Sequence, residues 1–290
     1  MIGIININKP SGITSSDVVV RVRKITGIKQ TGHLGTLDPK ACGVLPVCVG
    51  RATRLFDYFL KKSKTYVAEF EFGLTTDTLD SEGEITEKSD IIPGADAVKK
   101  ALKGFIGTIS QIPPKYSAKN VGGRRAYDLA REGINFELQS KPVQIFRFEL
   151  LEQISDRKFK FLIECGGGTY IRSLCRDLAA SLGTVAVMTK LTRIACGAFT
   201  IEDALDLDKL NSNNFKDYII PLQTVLKDLP QINLTQQQYA KLRNGIGLNV
   251  LEEKINAADI SLLIYNEKIL GLAEIKDNSL KVKTYLESDK

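Results

Sequence analysis

Thr31-Gly-His-Leu-Gly-Thr-Leu-Asp-Pro-Lys-Ala-Cys-Gly-Val-Leu-Pro-Val-Cys-Val-Gly-Arg-Ala-Thr-Arg54 contains the only histidine of the chain, an Asp-Pro step and four glycines, and ends on two arginines. Its polar part, 31–43, runs directly into the apolar run Val44 to Val49, which has the character of a buried strand. A glycine-punctuated loop that empties into a core strand is a segment that a rigid scaffold can hold still. Read outward from it, the chain supplies support for this loop and a means of bringing a substrate to it.

Upstream, Met1 to Pro10 reads as a short strand ending at Lys9-Pro10. Ser15-Ser16-Asp17 then precedes a helical stripe of Val18, Val19, Val22 and Ile25, with a capping residue ahead of it. The opposite face, Arg21, Arg23 and Lys24, is either solvated or in contact with phosphate. Downstream, Leu55, Phe56, Phe59 and Leu60 continue a helical stripe, and Lys64 to Phe72 alternates as a half-buried strand. Gly73 to Gly83 reads as a polar loop and Pro93-Gly94 opens a helix through Phe105. The two prolines of Gln111 to Ala118 exclude a central strand there. A helix near 126–132, a hairpin of 143–153 with 158–165, a helix carrying Leu174, Leu178 and Leu182, and strands within 185–201 follow. The stretch 202–226 is expected to be mostly helical. From Lys227 the composition changes to a short helix (235–244) and short strands separated by Gly245, Gly247, Asn256, Asn266-Glu267-Lys268 and Asp277-Asn278. Strands and helices do not alternate as regular βαβ units, so the fold class is α+β. The boundaries expected are 1–228 for a large domain and 229–290 for a small β-rich one.

The 290 residues are 43% hydrophobic and 26% charged, enough for a packed core, and no apolar run reaches the roughly 18–20 residues of a membrane span. The N-terminus lacks the features of a signal peptide. Five dispersed cysteines and the absence of a C-x-x-C pair point to a reducing, cytoplasmic setting rather than a disulfide framework. With one histidine no metal is expected. The net charge of +6 permits a polyanionic partner.

Asp38, held before a proline and therefore away from helical geometry, has Gly35 and Gly43 on either side and an apolar strand behind it. That setting suits a cleft floor. A buried carboxylate needs a cationic partner, and Arg172, in the first turn of a helix between Ile171 and Leu174, is the candidate; such a pair lowers the Asp38 pKa and keeps it ionised as a nucleophile. His33 is a general base or, more in keeping with its lack of an acid or serine partner, a hydrogen-bonding or stacking group. Tyr66 and Tyr170 are core aromatics or a base-stacking surface. Gly166-Gly167-Gly168 matches neither nucleotide fingerprint and reads as a tight, closely packed turn, so no cofactor is expected.

Gly32 to Pro39 followed by Gly43 to Arg54 closely resembles the signature of the TruB family of tRNA pseudouridine synthases. Asn8-Lys9-Pro10-Ser-Gly12, Lys64-Thr-Tyr66, Gln111 to Ala118 and Gly168-Thr-Tyr-Ile-Arg172 match in the same order, over roughly 3–200. Leu34 and Lys115 depart from the pattern without touching the proposed chemistry. The resemblance implies a mixed, largely antiparallel sheet with flanking helices and, more weakly, a PUA-like RNA-binding domain after Leu229. It implies isomerisation of uridine 55 in the T-loop of tRNA. Asp38 would be the catalytic aspartate, Arg172 its partner and Tyr66 the stack for the flipped uracil. His33 would hold extruded bases, Tyr170 and Leu191 would line the pocket, and Lys9 would be structural or close to the RNA. Asp38 would either add to the ribose anomeric carbon or act on the adjacent C–H. A tRNA-folding module without essential catalysis and a guide-RNA-dependent synthase are the alternatives. The start at the first strand and the lack of a basic tail favour a standalone enzyme, expected as a monomer.

Overall fold

In the computed structural model, which describes residues 1–251 and 260–287, the first elements are β1 (Gly3–Lys9), α1 (Ser15–Thr26), β2 (Thr31–His33) and β3 (Cys42–Val49). A 3-10 turn leads to α2 (Phe56–Leu60) and β4 (Lys64–Phe72). The hairpin β5–β6 (Leu74–Thr76, Ile85–Lys88), α3 (Ala95–Leu102) and β7 (Gly107–Gln111) follow. Next come the short pair β8–β9 (Asn120–Val121, Arg124–Arg125), α4 (Ala126–Arg131) and the long hairpin β10–β11 (Lys141–Gln153, Lys158–Cys165). The large unit closes with α5 (Ile171–Ser181), β12 (Ala186–Cys196), β13 (Phe199–Thr200) and β14 (Leu205–Asp206).

These strands build a ten-stranded sheet in the order β14-β1-β3-β12-β4-β11-β10-β7, with β2 on β3 and β13 on β12. Only β3–β12 and β1–β14 run parallel, so the sheet is mixed and largely antiparallel, as expected. Burial sets the register. In β4, Lys64, Tyr66, Ala68, Phe70 and Phe72 are buried while the residues between them are half-exposed, and β11 alternates in the same way. Phe70 meets Phe161 at 4.8 Å between ring centroids and Phe72 meets Phe159 at 5.6 Å. Each buried phenylalanine contributes about 1.5–3 kcal/mol, more than strand propensity supplies. A one-residue slip would turn that whole face to water.

Helix α1 is capped by Thr14, whose hydroxyl accepts from the Asp17 amide while the Asp17 carboxylate accepts from the Thr14 amide. Ser15 is therefore the first helical residue and its hydroxyl is free for another task. Two expectations are corrected. The loop 73–83 contains β5, pairing with β6. The stretch 202–226 is not mostly helical: it holds β14, two 3-10 turns and the four-residue α6 (Leu222–Val225). Its apolar residues lack a steady helical spacing, Asn211 and Asn214 fold their side chains back on the local backbone, and the chain lies against the β1 edge through Ile7–Leu205 and Ile4–Ile220.

After it, β15 (Gln231–Asn233), α7 (Gln236–Arg243), β16 (Leu248–Asn249), β17 (Ile260–Tyr265), β18 (Lys268–Lys276) and β19 (Ser279–Tyr285) form a five-stranded sheet ordered β15-β17-β18-β19-β16. Its hairpins turn at Asn266-Glu267 and Asp277-Asn278, each with positive φ at both residues. The turn expected at Asn256 lies outside the described residues. Leu263, Leu270 and Leu280 form a core of its own. Leu262, Leu272 and Leu286 join Ile4, Val44, Leu55 and Phe59 of the large unit in a shared apolar cluster. Among the described residues no helix is long and apolar enough to cross a membrane.

Candidate active site

Between β2 and β3 the chain has no regular structure, yet each carbonyl from Gly35 to Lys40 accepts a hydrogen bond. Arg193 of β12 donates to Gly35 (3.0 Å) and Thr36 (3.4 Å). The Ser15 hydroxyl donates to Leu37, and the Ala41 amide to Asp38. Pro39 accepts from the Lys9 ammonium and the Gly12 amide, and Lys40 from the Ser11 hydroxyl. The segment 9–15 and one arginine of a distant strand thus do for this loop what a ladder does for a strand. Gly43 is required where β3 meets β12: φ is +101° and a Cβ would lie 2.2 Å from the Arg193 carbonyl oxygen.

Arg172, in the first turn of α5, grips Asp38 with two parallel bonds, Nε to Oδ2 and Nη2 to Oδ1, both 3.0 Å. Its remaining reach goes to the carbonyls of Thr78 and Tyr116 (both 3.1 Å) and to the Asp80 carboxylate (3.5 Å). The predicted pair forms, but its expected effect on Asp38 is corrected. Burial pushes the Asp38 carboxyl above its ordinary value; Arg172 opposes that rise and Asp80 adds to it. One face of the carboxyl stays open to the cleft, with 34% of the side chain exposed, but the rest is walled by protein, and a second carboxylate competes for the same guanidinium. The sign for activity follows: a reaction that needs the Asp38 carboxylate declines as pH falls through this raised pKa. Replacing Asp80→Asn removes a repelling charge and lowers the Asp38 pKa. The acidic limb of the kcat/KM–pH profile is therefore expected to move to lower pH in that variant; an unmoved or upward-shifted limb would refute the coupling.

Asp38, Arg172, Tyr66, Tyr170 and Leu191 all line one cavity of about 210 Å³, together with Arg193. Tyr66 comes from β4, Leu191 from β12, and Tyr170 from the residue before α5, where the buried Gln111 side chain bonds both its amide (2.8 Å) and its carbonyl (3.2 Å). Burial pushes the Tyr66 phenol up to about 12, so it stays protonated, an aromatic plate rather than a base. The triple glycine is a close contact: a Cβ on Gly167 would lie 1.6 Å from the Leu60 carbonyl oxygen, beside the Lys64 ammonium that ties the end of α2.

Two expected site residues are not brought there. Lys9 is fully buried, and its ammonium donates to the carbonyls of Pro10, Ile13 and Pro39. Its placement as a substrate contact is corrected to the structural alternative, a tie for the Asp38 loop. His33, on β2, is not among the residues lining the cavity; its Nδ1 faces the Gly35 amide at 3.4 Å, and burial, then Arg193, lower its pKa, leaving it neutral at pH 7. Reading the residues alone missed Arg193, Asp80 and Gln111. Arg193 had a signal: strand alternation puts it on the same face as Leu191, an inward arginine at 1% exposure. Asp80 had none beyond its Thr/Asp-rich loop.

The family model described as TruB family pseudouridylate synthase (N terminal domain) matches residues 23–171. The one described as tRNA pseudouridylate synthase B C-terminal domain matches residues 172–229. The chain is 42% identical over 290 residues to tRNA pseudouridine synthase B of Clostridium novyi (strain NT), covering 99% of this chain and 100% of that protein. It is 43% identical over 271 residues to tRNA pseudouridine synthase B of Dehalococcoides mccartyi (strain CBDB1), covering 92% and 89%. Among solved structures it is similar to a Cbf5-Nop10-Gar1 complex, with TM-score 0.73 and 26% identity over 98% of this chain and 84% of that one. An H/ACA RNP bound to a substrate RNA containing 2′-deoxyuridine gives TM-score 0.70 and 25% identity, over 99% and 85%.

Proposed function

The chain belongs to the TruB family of pseudouridylate synthases, and from that premise we propose that it isomerises uridine 55 in the T-loop of tRNA. The observation that carries the reading is the cavity in which a carboxylate, a two-pronged arginine and a buried tyrosine ring meet. The target base is flipped out of its stack at a cost of a few kcal/mol, offset by stacking on Tyr66 and contacts from Tyr170 and Leu191. Asp38 acts on the ribose, at the anomeric carbon or the adjacent C–H, while the N-glycosidic bond breaks. The uracil turns and rejoins through carbon 5, whose hydrogen leaves as a proton, while N1, freed from the sugar, takes one up. Arg172 keeps the carboxylate aimed. The His33 edge of β2 meets the extruded neighbouring bases, and residues 229–290 act as a PUA-like module along the RNA. Phosphate contacts make binding weaken as salt rises.

The enzyme works alone, as a cytoplasmic monomer without a guide RNA; for the independence from a guide, support comes from the higher identity to the tRNA pseudouridine synthase B relatives than to the Cbf5-Nop10-Gar1 and H/ACA RNP structures. An unmodified tRNA transcript carrying tritium at uridine carbon 5 tests this. Stoichiometric release from one site, mapped to position 55 with no other component added, is the expected result. Tight tRNA binding without release would favour a folding module instead.

A further inference from the structure

Resting on that reading, we propose that Ser117 holds the ribose 2′-hydroxyl of the target uridine, and so fixes the sugar while the base is detached and turned. Ser117 is 5% exposed, and its hydroxyl is closed off from solvent with no hydrogen-bond partner among the described residues. Leaving a buried hydroxyl unpaired is costly, and a residue kept so in a cleft wall is matched to a group that arrives with the ligand. Its backbone is in use: the amide donates to the Lys115 carbonyl, and its own carbonyl accepts from the Tyr127 amide. Only the side chain is uncommitted.

Its location identifies the ligand group. Ser117 lines two cavities, the one of about 210 Å³ holding Tyr66 and Leu191 and another of about 520 Å³ bordered by the start of α1 and Arg131. The two share Thr36, Leu37, Asp38, Ser117, Ala118 and Arg172, so they meet at the carboxylate. A base on Tyr66 occupies the first, the sugar sits at the junction, and the strand leaves through the second. The junction is compact: Arg172 Nη2 bonds both Asp38 Oδ1 (3.0 Å) and the carbonyl of Tyr116 (3.1 Å), the residue before Ser117. A carboxylate working at the anomeric carbon or its neighbour stands beside the 2′-carbon. The polar group there is the 2′-hydroxyl, both donor and acceptor, as serine is. Binding then includes a turn about χ1 that brings the serine oxygen, closed off in the free protein, onto the ribose.

The test compares wild type and Ser117→Ala on two stem-loop RNAs that carry uridine or 2′-deoxyuridine at the target. Expected are a fall of about tenfold in kcat/KM on the uridine RNA, an unchanged Kd for the 2′-deoxyuridine RNA, and a Tm no lower than wild type. Equal weakening on both RNAs, an unaffected kcat/KM, or a lowered Tm overturns the assignment to the 2′-hydroxyl while leaving the isomerase reading intact. A wild type that binds the uridine RNA and forms no pseudouridine overturns that reading, and this inference with it.

Discussion

Asp38→Asn is expected to lower kcat/KM by at least about 10³-fold while Tm at pH 7 stays at or above the wild-type value. The activity loss follows from the role proposed for Asp38: an amide neither adds to the sugar nor takes a proton from it, and removing such a group costs 10²–10⁴-fold or more. The stability result follows from the raised pKa. A group whose folded pKa lies above its unfolded one contributes stability at pH below the unfolded value, and that contribution is lost as pH rises through the folded value. Wherever Asp38 is ionised, its charge therefore works against the fold. Its removal leaves Arg172 still bonded to the Thr78 and Tyr116 carbonyls and paired with Asp80. Tritium release and a thermal melt on the same preparation check both halves. Near-normal release would refute the role of Asp38, and a large drop in Tm would mean that the pair serves the fold.

Arg193→Met is expected to show the reverse balance, a large loss of stability with loss of activity as a consequence. Methionine fills much of the same space but donates nothing to the carbonyls of Gly35, Thr36 and Val44. Each orphaned buried group costs about 1–3 kcal/mol, so the sum is roughly 3–5 kcal/mol once local relaxation is allowed. For a chain this long that lowers Tm by roughly 10 °C. The loop then no longer holds Asp38 in place, and a displacement of about 1 Å is enough for a 10²-fold fall in rate. Arg193→Lys should not rescue, because a single ammonium cannot span three carbonyls in the plane of a guanidinium. Retention of Tm in either variant would show that the loop is held by its N-terminal ties alone.

The parts of the molecule legible in the sequence were those written in adjacent residues. The β4 alternation, the β10–β11 hairpin and the Asp38 loop running into β3 all come from local pattern. The Asp38–Arg172 pair could be anticipated because each side chain sits in surroundings that would strand it alone. What stayed hidden depends on distant register. Arg193 reaches the loop because β12 pairs with β3 at Arg193–Gly43, and nothing near either residue announces that pairing. Asp80 enters the site only when its loop reaches Arg172, and it adds to the rise that burial imposes on Asp38, a burial that the local sequence does not announce. Lys9 was expected from the resemblance to be structural or close to the RNA, and a lysine beside Pro-Ser-Gly gives no hint that its partners are carbonyls of its own chain. In 202–226, hydrophobic content resembled that of a helix, but without a steady period it became an edge cover.

The strand β12 lies between β3 and β4, both made well before it. A chain emerging from the ribosome can finish β1, the Lys9 and Ser15 ties and the Asp38 loop while the gap for β12 is still empty. The β4 edge, and the Cys42-Gly43 end of the β3 edge that β2 leaves uncovered, then wait unpaired until residues 186–196 arrive, and filling an interior gap from so far along the chain is a slow, non-local step. During that wait the nascent protein is at its most vulnerable to pairing with other chains. Closure of the gap, clamping of the loop by Arg193 and completion of the cavity wall by Leu191 are one event, so the newborn chain joins the two halves of its central sheet and completes its cleft together.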